Sequence, residues 1–369
     1  MSHAYFNVHQ MKKLLLTFGL TLIAMLALIF GYVIINETLS QMRQFSRLAL
    51  ALTPPATQWP INLTPIPAQV LSPSPYDQVD PAIDGQRIVW SEKISGYSQI
   101  ILFDFSDRSR HQLTSDRIDH VSPLISGENV IWSQGEPGDP AQISGVNNST
   151  GQVLTLPEGR VSQPNLKESS LVWSGEIEIT SLVIPIFRYD LETYQTEKLF
   201  QSRGANLPSI SGNIIVWEDW RNENADIYAY DLSAHQEFPV VTGPGDQENP
   251  NISEQIVVWR DNRRSQSLNN FDIYGYDLKT HREFFVSNWG VGASAPKVSG
   301  NFVVWDGLDN VYAYDLTKQT LLTIATGGGT RTNRQPSVFG NIAVWTQWDK
   351  PNDRDAHSQI MIGQIPIQP

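Results

Sequence analysis

Apolar residues follow two different patterns along this chain. Leu14–Ile35 is an unbroken run of 22 residues without a charge, whereas the rest of the chain alternates short apolar and polar segments. As a helix the run would be about 33 Å long, which matches the hydrocarbon core of a bilayer. A cleaved signal peptide is the alternative, but its apolar region is shorter and ends at a small-residue cleavage site, which does not directly follow this run. We predict one uncleaved transmembrane helix.

The charges around this run indicate its orientation. Lys12 and Lys13 directly precede it, and Arg43 and Arg47 follow at a distance. Positive residues favour the cytoplasmic side of a membrane, although the two arginines weaken the preference. We expect a single-pass membrane protein with a cytoplasmic N-terminus and the remainder extracytoplasmic, at the cell surface or in a periplasm.

Composition divides the chain into four parts. They are a short tail at 1–13, the transmembrane helix at 14–35, a juxtamembrane, proline-rich linker at 36–60 and the main domain at 61–369. Seven prolines lie between Ala49 and Gln78, and proline-rich chain is extended and semi-rigid. This stretch is typical of a spacer that holds a domain away from a membrane.

Seven copies of one sequence unit occupy the main domain. In each copy a proline precedes a tryptophan by nine residues, and successive tryptophans are 42, 41, 44, 42, 46 and 40 residues apart. The tryptophans are Trp90, Trp132, Trp173, Trp217, Trp259, Trp305 and Trp345. Spacing kept this closely indicates a repeated structural unit, in which each indole is expected to pack against a neighbouring unit.

Each unit has the pattern of four short strands. Alternating aromatic and small residues follow the tryptophan, as in Asp226–Leu232, and a further apolar run comes next, as in Glu283–Val286. With the short strand around the proline, four strands in 40–46 residues match one propeller blade. We predict an all-β, seven-bladed β-propeller, with six blades and a stray unit as the alternative. Ala68–Ser72 resembles the fourth strands and is expected to complete the last blade.

The units resemble the repeat of TolB-like, WD40-like propellers. The similarity is carried by Asp246–Ser253, Val257–Asp261 and Asp272–Leu278, and it extends over about residues 79–363. Two departures limit it: the first turn reads Ile-Ser-Gly-Asn at 210–213 in place of Ser-Pro-Asp-Gly, and we find no room for the α/β domain that precedes the propeller in TolB. Membership of the Tol–Pal complex is therefore not carried over. The resemblance implies an extracytoplasmic interaction module.

Composition and charge argue against several classes of function. The chain has 26 Lys+Arg against 38 Asp+Glu, a net charge of −12, and so lacks the basic surface that binds a nucleic-acid backbone. It has no cysteine, which removes disulfides, thiolate zinc sites and cysteine nucleophiles. No G-x-S-x-G elbow occurs, and the histidines lack the spacing of metal ligands. We expect no cofactor, no metal ion and no enzymatic activity.

Carboxylates supply the alternative to that expectation. At the channel mouth they would hold a cation, or serve a glycosidase or lyase that acts on glycans. The candidates are Asp246, Glu248, Asp261 and Asp306.

Loops of variable length follow the tryptophans and are expected to share one rim of the ring, where binding sites usually lie. Exposed aromatic and arginine side chains are typical binding anchors. The candidates in these loops are Trp220, Arg221, Arg263, Arg264 and Trp348. Alternatively, the acid–arginine pattern that recurs in neighbouring units braces the loops with ion pairs. We predict a membrane-anchored module that binds an unknown protein or envelope polysaccharide, with a purely structural envelope spacer as a further alternative.

Overall fold

The computed structural model describes residues 61–62, 65–136, 139–177, 183–264, 270–287, 293–349 and 356–367. The predictions for the transmembrane helix at 14–35 and for the tail and linker around it lie outside these residues. No part of the chain that the structure describes forms a helix with the length and hydropathy of a membrane span.

Seven small sheets make up the described part of the chain, and each sheet is one blade of a β-propeller. Within a blade the strands follow one another from the innermost strand outward. Blade 1 contains β3 (Gln78–Asp84), β4 (Arg87–Ile94), β5 (Tyr97–Asp104) and β6 (Ser109–Gln112). Blade 2 contains β7 (Asp119–Ser126), β8 (Asn129–Glu136) and β9 (Asp139–Asn147). Blade 3 contains β10 (Ser162–Lys167), β11 (Ser170–Ser174), β12 (Ile184–Asp190) and β13 (Gln195–Ser202).

The other four blades continue the same arrangement. Blade 4 contains β14 (Asn206–Ser211), β15 (Ile214–Asp219), β16 (Asp226–Asp231) and β17 (Gln236–Val241). Blade 5 contains β18 (Gln247–Ser253), β19 (Ile256–Asp261), β20 (Asp272–Asp277) and β21 (Arg282–Ser287). Blade 6 contains β22 (Lys297–Ser299), β23 (Phe302–Gly307), β24 (Asn310–Asp315) and β25 (Thr320–Ala325). Blade 7 contains β26 (Arg331–Phe339), β27 (Ile342–Asp349) and β28 (His357–Gln364). The prediction of seven blades is confirmed, and the six-bladed alternative is wrong.

Two strands from the start of the domain complete the last two blades. β2 (Ala68–Val70) pairs antiparallel with β28, so the predicted ring closure is confirmed. β1 (Ile61–Asn62) adds to blade 6 as a parallel partner of β25, which the sequence pattern did not indicate. Contact between β26 and β3 joins the last innermost strand to the first.

The core consists of separate apolar clusters, and each lies between two blades. The tryptophan of a blade packs on the preceding blade: Trp259 joins Val216 and Ile227 of blade 4, and Trp90 joins Val344 of blade 7. The seven repeated tryptophans are between 0% and 5% exposed. Because an indole buries about 150–250 Å², these contacts supply much of the apolar area that holds the ring together.

Tight turns connect the strands at one end of the ring, which we call the turn face. In five blades the turn from the first to the second strand places glycine at positive φ, as at Gly212 (φ 55°). The turn from the third to the fourth strand starts with aspartate: Asp231 Oδ1 accepts the N–H groups of Ser233 and Ala234 at 2.8 and 3.1 Å. His235 then adopts φ 51°. This end is built from local hydrogen bonds.

Candidate functional site

The predicted binding residues lie toward the opposite end of the ring, which we call the loop face. This end carries the loops from the second to the third strand of each blade and the loops between blades. The second-to-third loops of blades 4 and 5 contain Trp220, Arg221, Arg263 and Arg264. Trp348 lies in β27 rather than in a loop, because the hairpin of blade 7 is longer and pairs Trp348 with Thr332 and Ser358.

A tryptophan, an acid and an arginine form a stacked unit in blade 4. Trp217 Nε1 donates a 2.8 Å hydrogen bond to Asp219 Oδ2. Arg221 donates to both oxygens of Asp219 at 2.9 and 2.7 Å and lies 4.1 Å from the ring centroid of Tyr228. Burial alone would raise the pKa of Asp219, but the hydrogen bonds from Arg221 and then Trp217 lower it. Asp219 is a buried anion that holds the loop against the blade.

The same unit recurs in blade 5. Trp259 Nε1 donates to Asp261 Oδ2 at 2.9 Å, and Arg263 donates to the same oxygen at 2.8 Å. Arg263 also lies 4.6 Å from the ring centroid of Tyr274 and donates to Glu283 at 2.9 Å. These contacts are those of the loop-bracing alternative, since both guanidinium groups are committed to partners in their own blade.

Arg264 has a looser environment than these two arginines. Its side chain is half exposed and lies 3.9 Å from Asp272 and 5.3 Å from the ring centroid of Phe285. An exposed ion pair at this distance contributes little to stability. Arg264 therefore remains accessible at the loop face.

Trp220 is an exposed indole that the structure holds in place. It is 40% exposed, and its Nε1 donates a 2.8 Å hydrogen bond to Glu218 Oε1. Behind it lies Gly204, where an added Cβ would come within 2.8 Å of Trp220 Cβ. The side chain is thus fixed by one hydrogen bond and by a glycine that allows close approach. Ile177 and Leu308 are exposed in the equivalent loops of blades 3 and 6.

Backbone bulges mark the loop-face end of the innermost strands. In six blades the residue before the repeated proline has φ between 50° and 57°, in the left-handed region. These residues are Asp80, Ser122, Gln163, Leu207, Asn249 and Gln335. Four of these N–H groups donate to side chains of the neighbouring blade. For example, Asn249 donates to Glu218 at 3.2 Å, and Gln335 donates to Asp306 at 3.1 Å. Burial raises the pKa of Glu218. The bulges couple neighbouring blades around the channel mouth.

The innermost strands of all seven blades enclose a central channel of about 450 Å³. One residue after each proline lines its middle. These residues are Ala82, Leu124, Asn165, Ser209, Asn251, Lys297 and Ser337. Among the seven blades, this position is occupied by two apolar residues, two amides, two hydroxyl residues and one lysine.

The carboxylates that were candidates for a cation site do not converge. Asp261 accepts hydrogen bonds from Trp259 and Arg263. Glu248 pairs with Arg260, and Asp246 accepts a hydrogen bond from Asn262 at 3.2 Å. Of the four candidates only Asp306 lines the channel. Among the described residues no group of three or more His, Asp or Glu side chains is placed to hold a metal ion.

Two channel residues, Asp80 and Lys297, were not among the sequence candidates. Asp80 lies at the residue before the first repeated proline, and its pKa is raised by burial. Lys297 follows the sixth repeated proline. Alignment of the seven units on their prolines is the signal that would have found both, because it places one residue of each unit at the same height of the channel.

Comparison with known proteins finds the same fold in solved structures. No protein-family model and no curated protein matches the sequence. The oligogalacturonate lyase of Vibrio parahaemolyticus is 11% identical, with a TM-score of 0.62 over 83% of this chain and 95% of that protein. The β-propeller domain of the trilobed protease from Pyrococcus furiosus is 13% identical, with a TM-score of 0.60 over 78% of this chain and 95% of that domain. TolB from Acinetobacter baumannii is 17% identical, with a TM-score of 0.50 over 69% of this chain and 67% of that one.

These comparisons correct one expectation drawn from the sequence. The expectation that the chain is not an enzyme is wrong, because proteins that share its fold include oligogalacturonate lyases and prolyl endopeptidases. The sequence has no G-x-S-x-G motif and no histidines with metal-ligand spacing. This argues against particular catalytic mechanisms but not against catalysis in general. The likeness itself, at 11–17% identity, shows the β-propeller fold.

Proposed function

We propose that this chain is an extracytoplasmic β-propeller, anchored in a membrane by Leu14–Ile35, whose loop face binds a protein or a polysaccharide of the cell envelope. The uncharged run and the two lysines before it support the anchor. The resemblance of the repeats to TolB-like propellers supports the extracytoplasmic placement. Membrane fractionation tests the anchor: the full chain should resist carbonate extraction, and a variant without residues 14–35 should be released.

The observation that carries the binding proposal is the fixed, exposed indole of Trp220. An aromatic side chain that is already held in one orientation loses little conformational entropy on binding, which is why such residues anchor interfaces. The hydrogen bond to Glu218 and the close approach of Gly204 provide this order before any partner arrives.

A pair of photo-crosslinking variants tests the proposal. A photoreactive residue at position 220 should give specific adducts in the native envelope, whereas one at Tyr194 should not. Tyr194 is a suitable control because it is 55% exposed and lies on the turn face. Trp220→Ala should remove the adducts formed from neighbouring loop positions and leave the melting temperature nearly unchanged. Equal adduct patterns at the two positions would count against a binding role for the loop face.

A second candidate function is cleavage of glycans, by hydrolysis or elimination. It is favoured by Asp80, a channel-lining carboxyl whose pKa burial raises, as a general acid requires. Acidic oligosaccharides such as oligogalacturonate are the first substrates to test, since a lyase for them has the same fold. Turnover lost in Asp80→Asn would support this candidate, because asparagine keeps the shape and tolerates the left-handed backbone. If neither turnover nor loop-face adducts were found, a structural spacer of the cell envelope would be the remaining alternative.

A further inference from the structure

A ladder of hydrogen bonds joins the innermost strands through the middle of the channel. In three of the seven units, the side chain one residue after the proline accepts the N–H two residues after the next proline. Asn165 Oδ1 accepts from Ile210 N–H at 3.1 Å, and Asn251 Oδ1 accepts from Val298 N–H at 2.8 Å. Ser209 Oγ accepts the equivalent N–H of blade 5 at 3.3 Å. Blades 3 to 6 are thus joined through acceptor side chains.

Lys297 interrupts this ladder in blade 6. It occupies the position of Asn251 and Ser209, yet its ammonium group carries donors only. By the register of the repeat, the next N–H in the ladder is that of Val338, and Lys297 offers it no acceptor. Ala82 and Leu124 also interrupt the ladder elsewhere, but with apolar side chains. Of these three residues, Lys297 alone carries a charge, and both it and Val338 line the channel.

The other charged groups in the channel already have partners. Asp84 lies 3.5 Å from Lys167, and Asp306 lies 3.3 Å from Arg334. Asp80 accepts a hydrogen bond from the side chain of Gln335. The side chain of Lys297, in contrast, makes no hydrogen bond or ion pair within the described part of the chain. The channel therefore contains one cation without a counter-ion.

The surroundings of Lys297 combine channel walls on several sides with access from solvent. Protein lies around the amine on the channel walls, and this desolvation lowers the pKa of Lys297. The side chain is nevertheless exposed within the channel. An anion that enters the channel would restore the charged form and supply the missing acceptor.

We propose that Lys297 and the Val338 N–H bind the carboxylate of a small organic acid inside the channel. A carboxylate has two acceptor oxygens, one for each donor, and its bond to the ammonium is charge-assisted. A monoanion fits better than a phosphate dianion, because Asp80, Asp84 and Asp306 line the same channel. The channel volume of about 450 Å³ lies in the range of small-molecule sites. This site is separate from the loop-face surface.

Calorimetric titration of the purified full chain tests this site. Sodium D-glucuronate is the probe, and D-glucose is its uncharged counterpart of similar size. We expect glucuronate to bind and glucose to bind at least about tenfold more weakly. Lys297→Met should weaken glucuronate binding by about 10- to 100-fold, the loss expected for a charge-assisted hydrogen bond. Lys167→Met is the matched control, because it removes a channel lysine that already has a carboxylate partner, and binding should persist. Equal affinity for the two sugars, or equal losses in the two variants, would overturn the proposal.

Amine labelling gives an independent readout of the same group. In competitive acylation followed by mass spectrometry, Lys297 should react at a lower pH than an ordinary lysine amine does, and glucuronate should protect Lys297 but not the turn residue Lys279. Glucuronate affinity should fall as the pH rises through the lowered pKa of Lys297, whereas Lys297→Arg should keep its affinity over that range because arginine stays charged. Labelling of Lys297 that glucuronate does not reduce, or a channel amine that never reacts, would contradict the proposal.

Discussion

The contribution of the hydrogen bond between an indole and a buried acid to the free energy of unfolding can be measured by comparing two tryptophans of the repeat. Trp217 donates to Asp219 at 2.8 Å, whereas the Nε1 of Trp132 has no hydrogen-bond partner within the described residues. Both indoles are buried, at 0% and 4% exposure, and both pack on the preceding blade. Trp→Phe removes a similar volume at each site, but it removes a hydrogen bond only at position 217.

The expected difference follows from the partners that Asp219 retains. A hydrogen bond to a charged group is worth about 1.5–3 kcal/mol. Asp219 keeps its bonds from Arg221 and Ser202, at 2.7 and 2.9 Å, so the carboxylate is not left unpaired in Trp217→Phe. We therefore expect the low end of the range: Trp217→Phe should cost about 1.5 kcal/mol more than Trp132→Phe. For a domain of about 300 residues that is a difference of about 2–3 °C in melting temperature.

Urea denaturation of the full chain, followed by far-UV circular dichroism, measures this difference without relying on tryptophan fluorescence. The free energies of unfolding of the wild type and the two variants are compared at equal m-values. If Trp132→Phe proved as destabilising as Trp217→Phe, the bond to Asp219 would contribute nothing net, and the tryptophans would stabilise the ring by packing alone.

Three further predictions concern turns, loops and bulges. Hydrogen bonds from Ser106 and from Arg87 lower the pKa of Asp104 to about 2, so its stabilisation is present above about pH 4 and is lost as the pH falls toward about 2; an acid titration of Asp104→Asn should show a shallower loss of melting temperature over that interval, and parallel curves would refute this. Gly327→Ala should cost about 1–3 kcal/mol in urea denaturation, because a Cβ would lie 2.7 Å from a backbone oxygen, whereas Gly243→Ala, with open space around it, should be neutral; equal effects would refute the steric reasoning. Leu207→Asn should raise the free energy of unfolding by up to about 1 kcal/mol, because asparagine tolerates φ 50° better than leucine does; a loss in the same urea assay would contradict that.

Features repeated in every unit were visible in the sequence. The nine-residue interval from Pro250 to Trp259 has six counterparts, and it predicted both the number of blades and the buried indoles. The match of Ala68–Ser72 to a fourth strand predicted how the ring closes, because an unpaired strand edge at the C-terminal unit needs a partner.

Features that depend on the assembled ring were not visible. The residues before the prolines share a left-handed backbone without sharing a residue type, so Leu207 carries no signal that a glycine would give. Ile61–Asn62 is too short a strand to show a periodicity. Lys297 is one lysine among several until the closed ring places it in the channel. The arginines at 221 and 263 were correctly located in loops, but their partners include Glu237 and Glu283 of the fourth strand, which no local pattern relates to them.

The entry of the chain into the ring has a mechanical consequence. β1 lies on blade 6 and β2 on blade 7, so the chain crosses two adjacent blades before the first repeat begins with β3 in blade 1. Tension applied ahead of Ile61 meets the two residue pairs of β1 first and the three of β2 next, and it reaches the sheet of blade 1 last. Short strands that detach in succession yield at lower force than a sheet loaded all at once. Tension on the entry segment would therefore separate β1 and β2 before it reaches blade 1, and Val70 can pair with Met361 again when the tension is removed.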